Sequence, residues 1–334
     1  MGSVTTRASW AWRQLAKLAA FIALAGGASA IYQRAGDARD RRRFAPPGRL
    51  VDIGGRTLHL LQAGSGSPVV VVVVAAMADN VLMWTRIQRE LAGEMRVCLY
   101  DRAGIGWSDP PPQGPRTFGD MACELHDLLS IAGVPVPYVL VGHSVGGIVA
   151  RQFAVRYPGA VSGIALIDSS HEDQVRRRGV DGWPYGQREL LIRAAKRQAR
   201  ILGMRRLAAA LGLARKLDAD IAREVPAEFA AAARAIALSS RQRRIQVRET
   251  LMLARSSGQP PALGSLPLAV VTAGRQVPGW VRMQEELASL STRTTHLTAE
   301  EAGHYVHLDD PELIVRVIRD LVHRASRPQQ SLPR

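Results

Sequence analysis

Cysteine and aromatic residues are scarce in this sequence, and each shortage excludes a class of protein. Only two cysteines, Cys98 and Cys123, occur among 334 residues, too few for a scaffold held by disulfide bonds. The histidines are scattered, with no Cys/His cluster at metal-ligand spacing, so we expect neither a metal nor another cofactor. Aromatic residues make up 5% of the chain, which leaves few rings for stacking nucleic-acid bases. We therefore do not expect a nucleic-acid partner.

Acidic residues are outnumbered, but only in two regions. Formal net charge is +15. Residues 1–49 carry nine basic and two acidic side chains, and residues 172–258 carry nineteen and nine, while the rest is close to neutral. The simplest explanation is a solvated arginine-rich surface. Attraction to an anionic membrane surface is the alternative, because such lipids attract clustered Lys and Arg.

Long uncharged runs are also lacking, since the N-terminal apolar stretch extends only from Leu18 to Ile31. A full membrane span needs about 20 residues unless a flanking residue such as Lys17 snorkels. We interpret the stretch first as a membrane anchor. The alternatives are a secretory signal cleaved near Ala30, which would make the protein secreted or periplasmic, and a buried core helix. Basic residues flank both sides, so orientation stays open.

Apolar β-branched runs are what the rest of the chain has in abundance. Six consecutive valines, Val69–Val74, predict a strand covered on both faces. Strand-like and helix-like segments then alternate with short connections, which predicts an α/β fold with a mostly parallel central sheet and helices on both faces. Residues 172–262 interrupt this alternation with an Ala-, Leu- and Arg-rich segment that predicts several helices, and we interpret it as a lid inserted after the sixth strand.

These patterns divide the chain into five parts. We predict an anchor or signal segment with a basic arm, a first core segment, a lid, a second core segment and a tail, at residues 1–45, 46–171, 172–262, 263–325 and 326–334, respectively.

The most informative motif is Gly142-His143-Ser144-Val145-Gly146, which has the G-x-S-x-G spacing of a nucleophile elbow. A strand is predicted before it, at 138–141, and a helix after it, at 148–157. A serine on so sharp a turn has a strained backbone, and glycine on both sides avoids a collision of side chains. The following helix directs its N-terminal amides at the serine. Ser144 is therefore the predicted nucleophile.

A serine hydroxyl needs a general base, usually a histidine oriented by a third group. His304 follows the last predicted strand on a loop from which it can reach Ser144, so we predict it as the base. We expect His307 to bond locally or pack against the terminal helix. We expect His143, on the elbow itself, to face away from the nucleophile.

The acid is harder to assign. The stretch Leu268–Val277, where it usually lies, contains no carboxylate, and Glu285 already falls in a predicted helix. Asp168 ends the strand after the elbow helix, and we predict it as the residue that orients the base. The alternative for Asp168 is a turn or helix-capping aspartate. Glu172 and Asp173 are weaker rivals.

Backbone N–H groups are expected to stabilise the oxyanion that forms during acyl transfer. One belongs to Val145, which follows the nucleophile. The second comes from the loop after the valine strand, where position favours Met77.

At these residues the sequence resembles the α/β-hydrolase fold superfamily, especially bacterial lid-bearing esterases and haloperoxidase-like serine hydrolases. The resemblance rests on the elbow and on stretches at 46–52, 100–109 and 303–308. It implies hydrolysis of a carboxylic ester without a cofactor. Two departures are Ala75-Ala76, where a glycine-bearing pair is usual, and the missing aspartate after the lid. Some members place the acid after the preceding strand, as we predict for Asp168.

Two functions are therefore predicted. The first is a serine hydrolase that cleaves a small-molecule carboxylic ester or related acyl substrate through an acyl-enzyme. The alternative is a catalytically weakened protein of the same fold that binds a ligand under the lid, because the oxyanion loop is atypical. The sequence does not specify the acyl and alcohol groups of the substrate or the oligomeric state of the protein.

Overall fold

The structure is a computed structural model that describes residues 3–177 and 204–326. Three predicted segments extend beyond these ranges. The residues outside the description are 1–2 of the predicted N-terminal segment, 178–203 of the predicted lid, with part of its basic charge, and 327–334 of the predicted tail.

The described residues contain one eight-stranded sheet. Its strand order is β1-β2-β4-β3-β5-β6-β7-β8, with β1–β2 and β2–β4 antiparallel and the other pairs parallel. The carboxyl ends of the parallel strands therefore share one edge. The strands are β1 (Arg49–Asp52), β2 (Thr57–Ala63), β3 (Val70–Val74), β4 (Arg96–Tyr100), β5 (Tyr138–His143), β6 (Val161–Ile167), β7 (Leu268–Ala273) and β8 (Thr294–Ala299).

Helices cover both faces of this sheet, and further helices lie in the insert and at the N-terminus. In chain order the helices are α1 (Ser3–Arg43), α2 (Thr85–Leu91), α3 (Phe118–Ile131), α4 (Val145–Arg156), α5 (Met204–Ala210), α6 (Arg215–Glu224), α7 (Ala230–Leu238), α8 (Ser240–Arg255), α9 (Pro278–Ala288), α10 (Val306–Asp309) and α11 (Pro311–Ser326). Helices α3 and α4 share one core with the sheet, and α2 and α11 share the other. The predicted α/β class with a mostly parallel sheet is confirmed.

The valine run explains why two cores form. Val70, Val72 and Val74 belong to the core under α3 and α4, and Val71 and Val73 belong to the opposite one. Successive side chains of a strand point to opposite faces, so a strand apolar at every position is stable only between two layers. All five residues of β3 are buried, as the sequence predicts for a central strand.

The C-terminal part of α1 packs against the insert between β6 and β7. The Asp37 carboxylate accepts hydrogen bonds from Ser240 Oγ at 2.6 Å, Gln33 Nε2 at 2.7 Å and Arg206 Nη2 at 2.9 Å. Gln33 and Asp37 are both buried. The described part of the insert contains helices α5–α8, and Asp37 connects α1 to two of them by hydrogen bonds.

Among the described residues, no helix has both the length and the apolar composition needed to cross a membrane. The spanning segment predicted for the N-terminus is therefore not found in the part of the chain that the structure describes.

Replacing Leu140 by alanine tests the central packing. Leu140 lies on β5 and is fully buried. We expect Leu140→Ala to lower the free energy of unfolding by about 2–5 kcal/mol, because it removes buried methyl groups and leaves a cavity. Urea denaturation measures the change. Leu213→Ala is the matched control, since Leu213 is 73% exposed. Equal effects of both substitutions would contradict the assigned core.

Candidate active site

Three non-glycine residues with positive φ lie at one edge of the sheet, and the described residues contain no others. They are Ala78 with φ +64°, Ser144 with φ +52° and Asp168 with φ +39°. Each follows the carboxyl end of one of the neighbouring strands β3, β5 and β6. Such conformations cost about 1–3 kcal/mol each and persist where the surroundings fix them. This edge is therefore the candidate site.

Ser144 occupies the turn between β5 and α4. The helix begins at Val145 rather than at Ile148, where the sequence pattern starts it. The early start is possible because glycine permits close backbone approach: a Cβ on Gly142 would lie 2.5 Å from Gly147 Cα, and one on Gly146 would overlap the Val74 carbonyl. The Val145 N–H thus belongs to the first turn of a helix, at its positive dipole end.

Asp168 and His304 form the central hydrogen-bonded pair of the site. Asp168 Oδ2 lies 2.6 Å from His304 Nδ1, with the carboxylate fully buried and the imidazole 35% exposed. The Asp168 oxygens also accept hydrogen bonds from Trp280 Nε1 at 2.7 Å, Gln276 Nε2 at 2.6 Å and the Ala273 N–H at 3.1 Å. Because this carboxylate acts as acceptor, Nδ1 carries the hydrogen and Nε2 is left with a free lone pair.

Gln276 and Trp280 are two site residues that the sequence analysis does not predict. They follow β7 in the stretch where an acid is usual, and both bind the acid that comes from β6 instead. The rival acids are engaged elsewhere. Glu172 pairs with Arg151 at 2.8 Å, and Asp173 lies 3.4 Å from Arg177.

His143 lies against the loop that bears His304. Its Nε2 is 2.8 Å from the His304 carbonyl oxygen, and the two ring centroids are 4.9 Å apart. The elbow and the histidine loop are therefore in direct contact, which the sequence does not predict. His307 is buried, and its ring stacks on that of Trp84 with the ring centroids 4.1 Å apart. Burial, with a smaller contribution from the neighbouring imidazoles of His143 and His304, holds the pKa of His307 well below its ordinary value, so its imidazole is neutral.

The loop that would complete the oxyanion hole is held by Arg102. Its guanidinium donates to the carbonyl oxygens of Ala75 and Ala76, the latter at 2.8 Å. In a trans peptide the C=O and N–H groups point in opposite directions. The bond to the Ala76 carbonyl therefore directs the Met77 N–H, which belongs to the same peptide unit, away from Arg102.

Arg102 is itself paired with Glu249 of α8 at 3.0 Å, and both side chains are only 2% exposed. Burial alone would lower the pKa of Arg102, but the charge and hydrogen bonds of Glu249 outweigh it and the pKa is raised. Gln242, also on α8, donates to the Ala78 carbonyl. The insert thus holds the loop 75–78 directly through Gln242 and indirectly through the Glu249–Arg102 pair. No local sequence pattern predicts either contact.

The comparison with known families agrees with this architecture. The family model described as the alpha/beta hydrolase fold matches residues 69–311. The chain belongs to the alpha/beta hydrolase fold family. The matched range includes the elbow serine, the Asp168–His304 pair and the whole insert of this alpha/beta hydrolase.

Individual relatives of this alpha/beta hydrolase are more distant. An AB hydrolase superfamily protein of Gibberella zeae is 37% identical over 106 residues, which are 31% of this chain and 33% of that protein. Matches to the first three curated relatives span 16% to 42% of their lengths. Two solved structures share the fold. An esterase from Exiguobacterium antarcticum has a TM-score of 0.64 and 19% identity, over 83% of this chain and 99% of that one. An enol-lactonase from Burkholderia xenovorans has a TM-score of 0.63 and 17% identity, over 82% of this chain and 100% of that one.

Glu249→Gln tests the ion pair beneath the loop of this alpha/beta hydrolase. The substitution keeps the side-chain shape but leaves the buried Arg102 charge uncompensated, so we expect the free energy of unfolding to fall by about 3–5 kcal/mol. Glu312→Gln is the control, because Glu312 pairs with Arg86 at 3.0 Å where both are at least 60% exposed. Its expected change is about 0–1 kcal/mol. Urea denaturation compares the two, and a stable Glu249→Gln variant would refute a structural role for the pair.

Proposed function

We propose that the protein is a serine hydrolase that cleaves a carboxylic ester, or a related acyl bond, in a small molecule. The observation that carries the proposal is the 2.6 Å bond between the buried Asp168 carboxylate and His304 Nδ1. It leaves His304 Nε2 as an acceptor beside the elbow that bears Ser144. A serine with such a base is the arrangement that nucleophilic acyl transfer requires.

In the proposed reaction, His304 Nε2 takes the proton of Ser144 Oγ as the oxygen attacks the acyl carbon. The carbonyl oxygen becomes an oxyanion, which the N–H groups of Val145 and Met77 stabilise. The tetrahedral intermediate then expels the alcohol, which receives the proton from His304. Water attacks the resulting acyl-enzyme with His304 again as base, and this step releases the acid and restores Ser144.

Asp168 would stabilise the imidazolium that forms when His304 takes the proton. The carboxylate accepts hydrogen bonds from the N–H groups of Gln276, Trp280 and Ala273, which fix its orientation toward His304. These three residues are therefore proposed to position the acid rather than to react.

Two further considerations support an ester substrate. The solved structures of similar fold include an esterase and a lactonase, and a lactone is a cyclic carboxylic ester. Dehalogenation and epoxide opening in this superfamily use an aspartate nucleophile, whereas the elbow here carries Ser144. We also propose that the insert, residues 172–262, acts as a lid. The proposal is supported by the bond from Gln242 to the Ala78 carbonyl and by the pairing of Glu249 with Arg102, which holds the loop 75–78.

Labelling of the nucleophile tests the proposal most directly. We expect a fluorophosphonate probe to label Ser144, and an activated nitrophenyl ester to release a burst of chromophore, because the serine forms a covalent acyl-enzyme. Ser144→Ala should abolish both signals. Mass spectrometry of the labelled peptide and stopped-flow absorbance measure them.

Absence of labelling and burst in a folded wild-type protein would refute the hydrolase. A bound ligand found in the same protein would then favour the alternative, a weakened ligand-binding member. The observation behind that alternative is Ala76, whose side chain replaces a glycine in the oxyanion loop.

Asp168→Asn tests the acid. Asparagine cannot hold the imidazole in the same tautomer or stabilise its positive charge, so we expect kcat to fall by about 10⁴-fold with the fold retained. Steady-state kinetics with the nitrophenyl ester and circular dichroism measure the two quantities. Asp173→Asn is the matched control and should keep nearly full turnover. If Asp168→Asn remained as active as wild type, the acid would have to lie elsewhere.

A further inference from the structure

A second cluster of titratable side chains lies behind the elbow and takes no part in the proposed reaction. Asp79, His143 and His307 each contribute one ligand atom, and these atoms all lie within 4.8 Å of one another. All three residues are buried, with exposures of 4%, 0% and 2%. Two imidazoles and a carboxylate that converge in this way are outside the Asp168–His304 pair and need their own explanation.

The hydrogen-bond roles of His143 leave an unfavourable contact. Its Nε2 lies 2.8 Å from the His304 carbonyl, which can only accept, so Nε2 carries the hydrogen. In the neutral ring, Nδ1 is then a bare lone pair. It faces Asp79 Oδ2 at 3.5 Å, and neither atom has a hydrogen-bond partner. Two buried acceptors that face each other repel unless a positive species lies between them.

His307 adds a third open acceptor. Neither of its ring nitrogens has a hydrogen-bond partner, although the ring is buried and is held parallel to Trp84 with an interplanar angle of 5°. The stacking fixes the direction of both nitrogens. Native proteins rarely leave a buried polar atom unsatisfied, because such an atom loses its hydrogen bonds to water without a replacement. Here Asp79, His143 and His307 lie together, and each has a buried acceptor atom to which no group donates.

We propose that Asp79, His143 and His307 bind one divalent transition-metal ion, with Zn²⁺ preferred. One cation satisfies all three open acceptors at once. Imidazole nitrogen and carboxylate oxygen are ordinary zinc ligands at about 2.0–2.2 Å, and three protein ligands leave the fourth tetrahedral position for water. The three ligand atoms, all within 4.8 Å of one another, would have to close in on the ion to reach that geometry.

Two neighbouring features fit this site. A surface cavity of about 510 Å³ reaches His307 and is also lined by Glu224, which provides a route for the ion and an acidic group along it. On the other side, the His143 Nε2–H donates to the His304 carbonyl. Metal-bound histidines characteristically donate their second ring N–H to a carbonyl or carboxylate, which fixes the tautomer. The bound ion therefore stiffens the loop that bears His304.

The site has no counterpart in local sequence spacing. Asp79 follows β3, His143 ends β5 and His307 lies on α10, so the ligands meet only in the folded sheet. This is why the scattered histidines predict no metal site when the sequence is read alone.

Metal titration of the full-length protein without an affinity tag tests the proposal. After treatment with a chelator and dialysis, we expect calorimetry to show one Zn²⁺ per chain, and Co²⁺ to give the visible absorption bands of a tetrahedral site. Zn²⁺ should also raise Tm, and the chelator should reverse the rise, because the ion binds only the folded chain.

Asp79→Asn and His307→Gln should each weaken Zn²⁺ binding at least about tenfold, since even the loss of an outer-shell partner costs about 10–100-fold. His323→Gln removes an exposed histidine on α11 and is the matched control, with wild-type affinity expected. Using two site variants guards against one that fails to fold, which circular dichroism detects.

Three results would overturn the metal site. The first is no saturable binding by the folded protein. The second is binding that only His323→Gln weakens, which would place the ion on the surface. The third is a Tm that changes with pH in wild type but not in Asp79→Asn, with no metal uptake, which would mean that a proton on His143 fills the gap.

Discussion

The geometry of the candidate site depends on burying one carboxylate. Asp168 is removed from water completely, and a charge in that position is tolerated only when donors replace its hydration. The donors come from the end of β7, the loop after it, the first turn of α9 and the loop after β8. The continuous stretch Ala273–Trp280 and the loop that bears His304 must therefore meet at one side chain. The position of His304 is a consequence of that convergence.

The parallel sheet makes this convergence possible. Neighbouring strands β3, β5 and β6 end at one edge, and each is followed directly, or within a few residues, by a backbone conformation that a non-glycine residue rarely adopts. Strain of this kind is stable only in rigid surroundings. Here the fully buried valine, leucine and isoleucine side chains of the two cores provide them. The shape of the site therefore depends on the packing of the two cores.

Sequence reasoning succeeds where the pattern is local. The valine run, the alternation of strands and helices and the glycine-flanked serine each carry a period or spacing that sterics explain, so they predict the sheet and the elbow. The end of β6 also suggests Asp168 and β8 suggests the loop of His304, which the structure brings to 2.6 Å. Trp280, Gln276, Arg102 and Glu249 could not be assigned, because their contacts join distant segments without periodicity. The apolar N-terminal stretch is ambiguous for a different reason: it is shorter than a membrane requires.

The Arg102–Glu249 pair limits how the insert can move. Lifting α8 from the core would separate two charges that are both 2% exposed. It would also leave the Arg102 guanidinium, which holds the carbonyls of Ala75 and Ala76, without its counter-charge. A moving α8 would therefore disturb the loop 75–78 whenever it lifted. Helix α8 is therefore better described as a fixed part of the insert, so that any movement is confined to its other helices. Sequence changes in the insert would then be tolerated more readily in those other helices than in α8.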